Sequence, residues 1–150
     1  MKYVLNFKMN YKEQESVIHK IFVQYFEEGD VLGNLYMGGQ SLIDLAHRGF
    51  LGSHSHHHYP LGLLPLETIK FEIQSSKTTL EEITNSKIEL IAYPFGTKEA
   101  CTADVAEIAK KVGFKFGFTT SRGNNTGLEN PLLLNRFDCN DILGGKHYKE

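Results

Sequence analysis

The sequence predicts an α/β domain with a mostly parallel sheet, and three observations support this fold class. Helix-like and strand-like apolar patterns alternate from Gln40 onward, as in parallel sheets whose strands are joined by helices. A length of 150 residues fits one domain with a sizeable core. The composition is that of an ordinary globular protein, with 41% hydrophobic and 23% charged residues.

Apolar residues with the three- and four-residue spacing of an amphipathic helix occur in four segments. We predict helices over residues 12–26, 40–48, 65–83 and 102–112. Gly49 and Gly113 follow two of them, where a helix C-terminus favours glycine. The stretch 27–30 is predicted to be a polar turn.

The third helix is the clearest of the four. Its apolar stripe includes Leu66, Ile69, Ile73, Ser76 and Ile83. Its other face has six charged residues, which we interpret as solvated surface: Glu67, Lys70, Glu72, Lys77, Glu81 and Glu82.

Short apolar runs follow the later helices and are predicted to be strands. They cover residues 50–53, 88–92 and 114–119, and a last apolar segment covers 132–137. Ligands of parallel α/β sheets bind at the carboxyl ends of the strands. The first two runs lead into chemically distinctive loops, a histidine cluster and Tyr93-Pro94-Phe95-Gly96, and these loops are therefore expected near one another.

The histidine cluster is the most informative stretch of the chain. Four of the seven histidines lie within the five positions 54–58. Imidazole is a common metal ligand, so a cluster at a strand end is a candidate metal site. A zinc-protease helix is excluded, because that motif requires Glu directly after the first His, and Ser55 stands there.

The pattern His54-Ser55-x-x-His58, preceded by Gly52-Ser53, resembles the metal-binding motif of the polysaccharide deacetylases, the NodB-type carbohydrate esterases. The segments "IQSSKTTLEEIT", "IAYPFG" and "VAEIAKKVGFKFGFTT" also resemble that family. The resemblance covers residues 35–141 of a single domain and leaves 1–34 as a divergent segment. It implies a partial or irregular (β/α) barrel and a hydrolase that removes N-linked acetyl groups from amino sugars of a polysaccharide or oligosaccharide.

The resemblance also implies roles for individual residues. His54 and His58 match the ligands of a divalent metal, for which zinc is the expected ion. The backbone amide of Phe95 matches the oxyanion donor, and Tyr93, Pro94 and Phe95 match the substrate groove.

The family's Asp-Asp motif is absent from this chain, and Ala92 stands at the position of a family arginine. Asp138 and Asp141 are the nearest candidate carboxylates, and Asp138 is our candidate catalytic residue. Two interpretations remain: a truncated deacetylase, which we favour, or a compact relative with different carboxylates. A catalytically inactive carbohydrate- or metal-binding remnant is the alternative function.

Bulk properties limit the other functions. A formal net charge of -2 gives no reason to expect nucleic acid as a partner. No apolar run approaches the roughly 18 residues of a membrane-spanning helix. The amino terminus does not resemble a signal peptide, so we expect a cytoplasmic protein with its two cysteines reduced. Incomplete barrel edges predict self-association.

Overall fold

A computed structural model describes Tyr3 and residues 8–146 of the chain. Helix α1 spans Tyr11–Tyr25, α2 Glu28–Leu35, α3 Gly39–His47, α4 Leu66–Thr84 and α5 Ala103–Val112. Strand β1 spans Leu90–Ala92 and β2 spans Phe116–Phe118. Short 3₁₀ helices cover Leu61–Leu63 and Cys139–Asp141.

The four predicted helices are confirmed, with ends that shift by a residue or two. Local signals fix several ends: the Thr102 side chain accepts a hydrogen bond from the Val105 N–H at the start of α5. Gly113 ends the same helix with a φ of 101°, and Gly49 follows α3 with a φ of 73°.

The predicted polar turn at 27–30 is wrong, because α2 begins at Glu28. The two acidic residues of its first turn, Glu28 and Asp30, lie at the end of the helix where the backbone dipole favours negative charge. The acidic residues that suggested a turn are therefore also the residues that favour the first turn of a helix.

The sheet is parallel, as predicted. Leu90 pairs with Phe116 and Ala92 with Phe118. Two isolated parallel bridges extend this pair, Ser53 to Ile91 on one side and Phe118 to Leu134 on the other. Four extended segments thus lie side by side in chain order.

The predicted strands are shorter than the apolar runs that suggested them. The runs at 50–53 and 132–137 contribute one bridge each, and the other two runs form three-residue strands. Within the described residues the segments form an open arc, so a closed barrel is not shown.

The core lies between this arc and helices α4 and α5. Its buried hydrophobic members include Leu61, Ile69, Ile73, Ile88, Ile91, Tyr93, Val105, Ala109, Phe114 and Leu132. The buried residues of α4 are Ile69, Glu72, Ile73, Ser76 and Thr84. Two predictions for α4 are wrong: Leu66 and Ile83 are 57% and 42% exposed, whereas Glu72, assigned to the solvated face, is 1% exposed.

Helices α1, α2 and α3 contain no buried residue. The exposed apolar side chains of α1, of α2 and of the residues that follow each of them are what we call the amino-terminal apolar surface: Val17, Ile18, Ile21, Val23, Tyr25, Phe26, Leu32, Leu35, Tyr36 and Met37. Among the described residues, no helix has both the length and the apolar character required to cross a membrane.

Candidate functional site

The histidine loop, residues 54–58, follows the first extended segment of the sheet. The Ser53 N–H donates to the Leu90 carbonyl at 2.8 Å, and the Ala92 N–H donates to the Ser53 carbonyl at 2.9 Å. Residues 93–96 follow β1 directly. Both loops therefore leave the sheet at the carboxyl ends of adjacent parallel segments, as the sequence predicted.

The imidazole of His54 is oriented by a backbone group. Its Nδ1 lies 2.6 Å from the Ala92 carbonyl oxygen. A carbonyl oxygen only accepts, so Nδ1 carries the proton and Nε2 keeps its lone pair in the neutral ring. Metal-binding histidines are commonly held in this way, with one ring nitrogen donating to a carbonyl and the other free for the ion.

His58 lies beside His54. Their ring centroids are 4.9 Å apart, and the Phe95 ring lies 5.2 Å from that of His58. Burial lowers the pKa of His58, and the charge of a protonated His54 lowers it further. These effects favour the neutral imidazole, which is the form that binds a metal.

Strained backbone conformations are concentrated in the two loops. Ser55, His58 and Phe95 have φ angles of 63°, 61° and 62°. Each such conformation costs a non-glycine residue about 1–3 kcal/mol, and such residues often cluster at functional sites. The His58 N–H donates to Ser55 Oγ at 3.1 Å, which closes a tight turn between the two strained residues.

Glu72 of α4 supports the histidine loop, a role that sequence reasoning missed. Its Oε2 accepts from the backbone N–H groups of His56 at 3.2 Å and His57 at 2.8 Å. Its Oε1 lies 2.5 Å from His57 Nδ1. The available signal was spacing: Glu72 lies three residues from Ile69 and four from Ser76, on the face of α4 assigned to the core.

Ser76 makes a second connection between α4 and the loop. Its hydroxyl lies 2.6 Å from the hydroxyl of Ser53, and both side chains are buried. Ser53 immediately precedes His54, so α4 contacts the chain both before and within the histidine loop. The histidines consequently lie on a loop that is tied to a helix.

Helix α1 contacts Tyr59, the residue that follows the histidine loop. The hydroxyl of Tyr59 donates to a carboxylate oxygen of Glu15, and the Tyr59 ring lies 5.1 Å from the Tyr11 ring. The Tyr59 ring also stacks on His57 at 5.3 Å. Sequence reasoning assigned no contact to the divergent amino-terminal segment, and nothing in its pattern indicates this one.

The predicted substrate residues divide into two groups. Tyr93 is 1% exposed and its hydroxyl donates to the Leu132 carbonyl at 2.8 Å, while Pro94 is also fully buried. The prediction that these two side chains line a groove is therefore corrected: they belong to the core beneath the loop. Phe95 is only partly buried, and for it both predicted roles stay predictions.

The backbone around Phe95 forms a tight turn. The Gly96 N–H donates to the Pro94 carbonyl at 2.7 Å, and the positive φ of Phe95 makes this the rarer, strained form of a three-residue turn. A Cβ on Gly96, whose own φ is 63°, would lie 2.5 Å from the Thr120 side chain. The turn thus requires glycine at 96, and it directs the Phe95 ring towards His58.

Asp138 has a local structural role. It is the N-cap of the 3₁₀ helix Cys139–Asp141, and its Oδ1 accepts from the Asn140 N–H at 2.8 Å. Asp141 returns the contact by accepting from the Asp138 N–H at 3.0 Å. These contacts explain both carboxylates as parts of a capping box, and the catalytic role of Asp138 stays a prediction.

The donor set fits a metal in part. His54 and His58 supply two adjacent imidazoles, and catalytic zinc sites use two histidines with a carboxylate as their third protein ligand. Within the described part of the chain, however, no group of three His, Cys, Asp or Glu side chains converges on a common point. The two histidines therefore match two of the three protein ligands that such a site requires.

The sequence model of the polysaccharide deacetylase family matches residues 33–117, more than half of the chain. The match includes both loops described above, with His54, His58 and Phe95. The chain therefore belongs to the polysaccharide deacetylase family. A search of curated proteins found no match.

Solved deacetylase structures share the fold. The Streptococcus pyogenes deacetylase PplD, solved with acetate, is 24% identical with a TM-score of 0.63, over 70% of this chain and 46% of that one. The BpsB deacetylase domain from Bordetella bronchiseptica is 21% identical with a TM-score of 0.60, over 69% and 49%. A polysaccharide deacetylase from Bacillus cereus is 21% identical with a TM-score of 0.57, over 82% and 42%. The chain spans about half the length of these proteins.

Proposed function

We propose that this chain provides the paired-histidine part of a metal-dependent hydrolase that removes N-linked acetyl groups from amino sugars. The observation that carries the proposal is the pair His54 and His58, with rings 4.9 Å apart and the Nδ1 of His54 bonded to Ala92. The pair lies at the carboxyl end of the sheet, within the segment that matches the deacetylase family.

The proposal gives three residues of this chain a role. His54 and His58 would hold a divalent ion, with zinc favoured because two imidazoles suit it. The chemistry that such an ion supplies is a bound water with a pKa near 7 and a polarised acetyl carbonyl. The Phe95 backbone N–H would donate to the oxyanion, as predicted from the family resemblance.

The proposed substrate is a carbohydrate with N-acetylated amino sugars. The Phe95 ring is partly exposed beside His58, where it offers a sugar ring an apolar face next to the paired imidazoles. Aromatic rings have a large apolar area and are suited to such contacts. The carboxylate that would complete the metal site is not assigned to a residue.

We further propose that the open arc of four parallel segments is part of an irregular (β/α) barrel. The segments lie in chain order, and α4 and α5 connect the first three, as in barrels built from successive strand–helix units. The amino-terminal apolar surface supports the predicted self-association. The cytoplasmic location also stays a prediction.

The test is zinc-binding calorimetry on the whole chain and on His54→Ala and His58→Ala variants. We expect one zinc site that both substitutions abolish, because each removes one of two ligands. His19→Ala is the matched control, since His19 is an exposed histidine on α1 and its removal should leave binding unchanged.

If the unmutated chain binds zinc, deacetylation of N-acetylglucosamine oligomers is the next measurement. If it binds no zinc, or if both variants bind like the unmutated chain, the proposed metal role of the two histidines is wrong. The chain would then fit the alternative of a catalytically inactive member of the family.

A further inference from the structure

We propose that Glu72 is a positioning residue that holds the histidine loop in the conformation in which His54 and His58 lie side by side. The inference rests on the proposed metal role of these two histidines and adds a residue to it. Glu72 is not suggested as a ligand or as a catalytic residue.

The first argument is the number and direction of its contacts. Both carboxylate oxygens are used: Oε2 accepts from two backbone N–H groups, those of His56 and His57, and Oε1 contacts His57 Nδ1. His56 and His57 lie between the two proposed ligands in the sequence. The carboxylate therefore fixes the part of the loop that sets the separation of His54 and His58.

The second argument is the cost of placing a carboxylate there. Glu72 is 1% exposed, and a buried carboxylate is strongly unfavourable unless hydrogen bonds or an opposite charge compensate it. Among the residues that the structure describes, the groups that compensate Glu72 belong to the histidine loop. If the loop moved away, the carboxylate would lose all three of these contacts, so helix and loop hold each other in place.

The third argument is that the loop requires an external support. Ser55 and His58 both have positive φ angles, and a residue keeps such a conformation only when its surroundings determine it. Glu72 contacts the two residues between them. Its own position is fixed because the neighbouring Ile69 and Ile73 are buried in the core.

A general stabilising role is the competing explanation, and the two make different predictions. A residue that only stabilises the fold would affect metal affinity no more than any core residue of α4 does. A positioning residue would affect the histidine loop specifically. Ile73 provides the comparison, because it lies next to Glu72, is fully buried, and belongs to the core cluster.

The experiment uses the full chain with Glu72→Ala, Glu72→Gln, Ile73→Val and Glu82→Ala. Three quantities are measured for each: zinc affinity by calorimetry, amide hydrogen exchange at His56 and His57 without metal, and the midpoint of thermal unfolding. Glu82 is an exposed glutamate of the same helix and serves as the matched control.

We expect Glu72→Ala to weaken zinc binding about 10- to 100-fold, the usual effect of removing a group that orients a metal ligand. It should also accelerate exchange at His56 and His57. Glu72→Gln should bind nearly like the unmutated chain, since its amide oxygen can still accept from both backbone groups. Ile73→Val should lower the unfolding midpoint without weakening zinc binding, and Glu82→Ala should change nothing.

Two results would overturn the inference: unchanged exchange and affinity in Glu72→Ala, or an equal loss of affinity in Ile73→Val. If Glu72→Ala does not fold, Glu72→Gln takes its place. Near-normal amide exchange at His56 and His57 in Glu72→Gln then supports the inference, and fast exchange restricted to the histidine loop of that variant opposes it. If the unmutated chain binds no zinc, the proposed function fails separately. In that case, faster amide exchange confined to the histidine loop of Glu72→Ala would still show that Glu72 holds the loop in place. Amide exchange equal to that of the unmutated chain would refute this role.

Discussion

Helices α1 and α4 have similar amphipathic patterns and very different surroundings. The 15 residues of α1 include no buried residue. The 19 residues of α4 include five, of which Glu72, Ser76 and Thr84 are polar. The comparison teaches that apolar spacing predicts a helix, whereas burial depends on what the fold places against it.

The buried polar groups of α4 have partners, which explains why they are tolerated. Glu72 accepts from the histidine loop, Ser76 meets Ser53, and Thr84 Oγ1 donates to the Leu80 carbonyl at 2.7 Å. Buried polar atoms are accepted in a core when they are hydrogen-bonded. In contrast, α1 exposes apolar residues and contacts Tyr59, the residue after the histidine loop, through Tyr11 and Glu15.

The largest predicted difference between the two helices concerns isoleucine truncation. Ile73→Ala should lower the free energy of unfolding by about 2–5 kcal/mol, because it empties a fully buried position. Ile21→Ala, at a site 54% exposed, should change it by less than about 0.5 kcal/mol. Urea unfolding of both variants measures the difference.

A large loss of unfolding free energy in Ile21→Ala would contradict the difference between α1 and α4. It would show that the amino-terminal apolar surface is covered in solution. Repeating the measurement at several protein concentrations would then identify self-association, because a face buried between copies gives a stability that rises with concentration.

The next effect concerns the hydroxyl pair of Ser53 and Ser76. Either single substitution to alanine should lower the free energy of unfolding by about 1–3 kcal/mol, because it leaves the other buried hydroxyl without this partner. The double variant should be only slightly less stable than one single variant. A double-mutant cycle measured by urea unfolding tests this coupling, and strictly additive losses would contradict it.

The smallest effect is a pH dependence contributed by Glu81 on the solvent side of α4. Partial burial raises the pKa of Glu81, but hydrogen bonds from Lys77 and the Ile88 N–H outweigh it, so the pKa is lowered. A pKa lower in the folded state stabilises the fold above the unfolded value of 4.5. This contribution disappears as the pH falls through the folded pKa.

Because Glu81 is about one third exposed, solvent limits the contribution to less than about 1 kcal/mol. Glu81→Gln should therefore be less stable than the unmutated chain at pH 7, and the difference in the free energy of unfolding should shrink as the pH falls below 4.5. A difference that stays constant over this pH range would show that the charge of Glu81 contributes nothing.

Much of the fold could be predicted from local patterns. The helices at 66–84 and 103–112 follow from apolar spacing, and their connection to parallel strands follows from the alternation of elements. The predicted strands were too long because an apolar run marks a buried segment and does not by itself specify where ladder hydrogen bonds form. Helix α2 was missed because its acidic first turn resembles a polar turn.

The site could be predicted only where a motif covered it. His54 and His58 were identified from their spacing, and the structure brings their rings together. Glu72 was missed because its charge placed it on the solvated face, although its spacing from Ile69 and Ser76 puts it on the core face of α4. The burial of Tyr93 depends on the Leu132 carbonyl, which lies 39 residues further along the chain, and no local pattern contains that information.

The hydrogen bond from His54 to Ala92 has a consequence for mutational scanning. Its acceptor is a main-chain atom, so exchanging the side chain at position 92 does not remove it. Scans that replace side chains will therefore not detect this contact at position 92, even though its peptide group selects the imidazole tautomer. Only a change in the backbone itself, such as an ester in place of the amide that follows Ala92, would weaken that carbonyl as an acceptor and reveal its contribution.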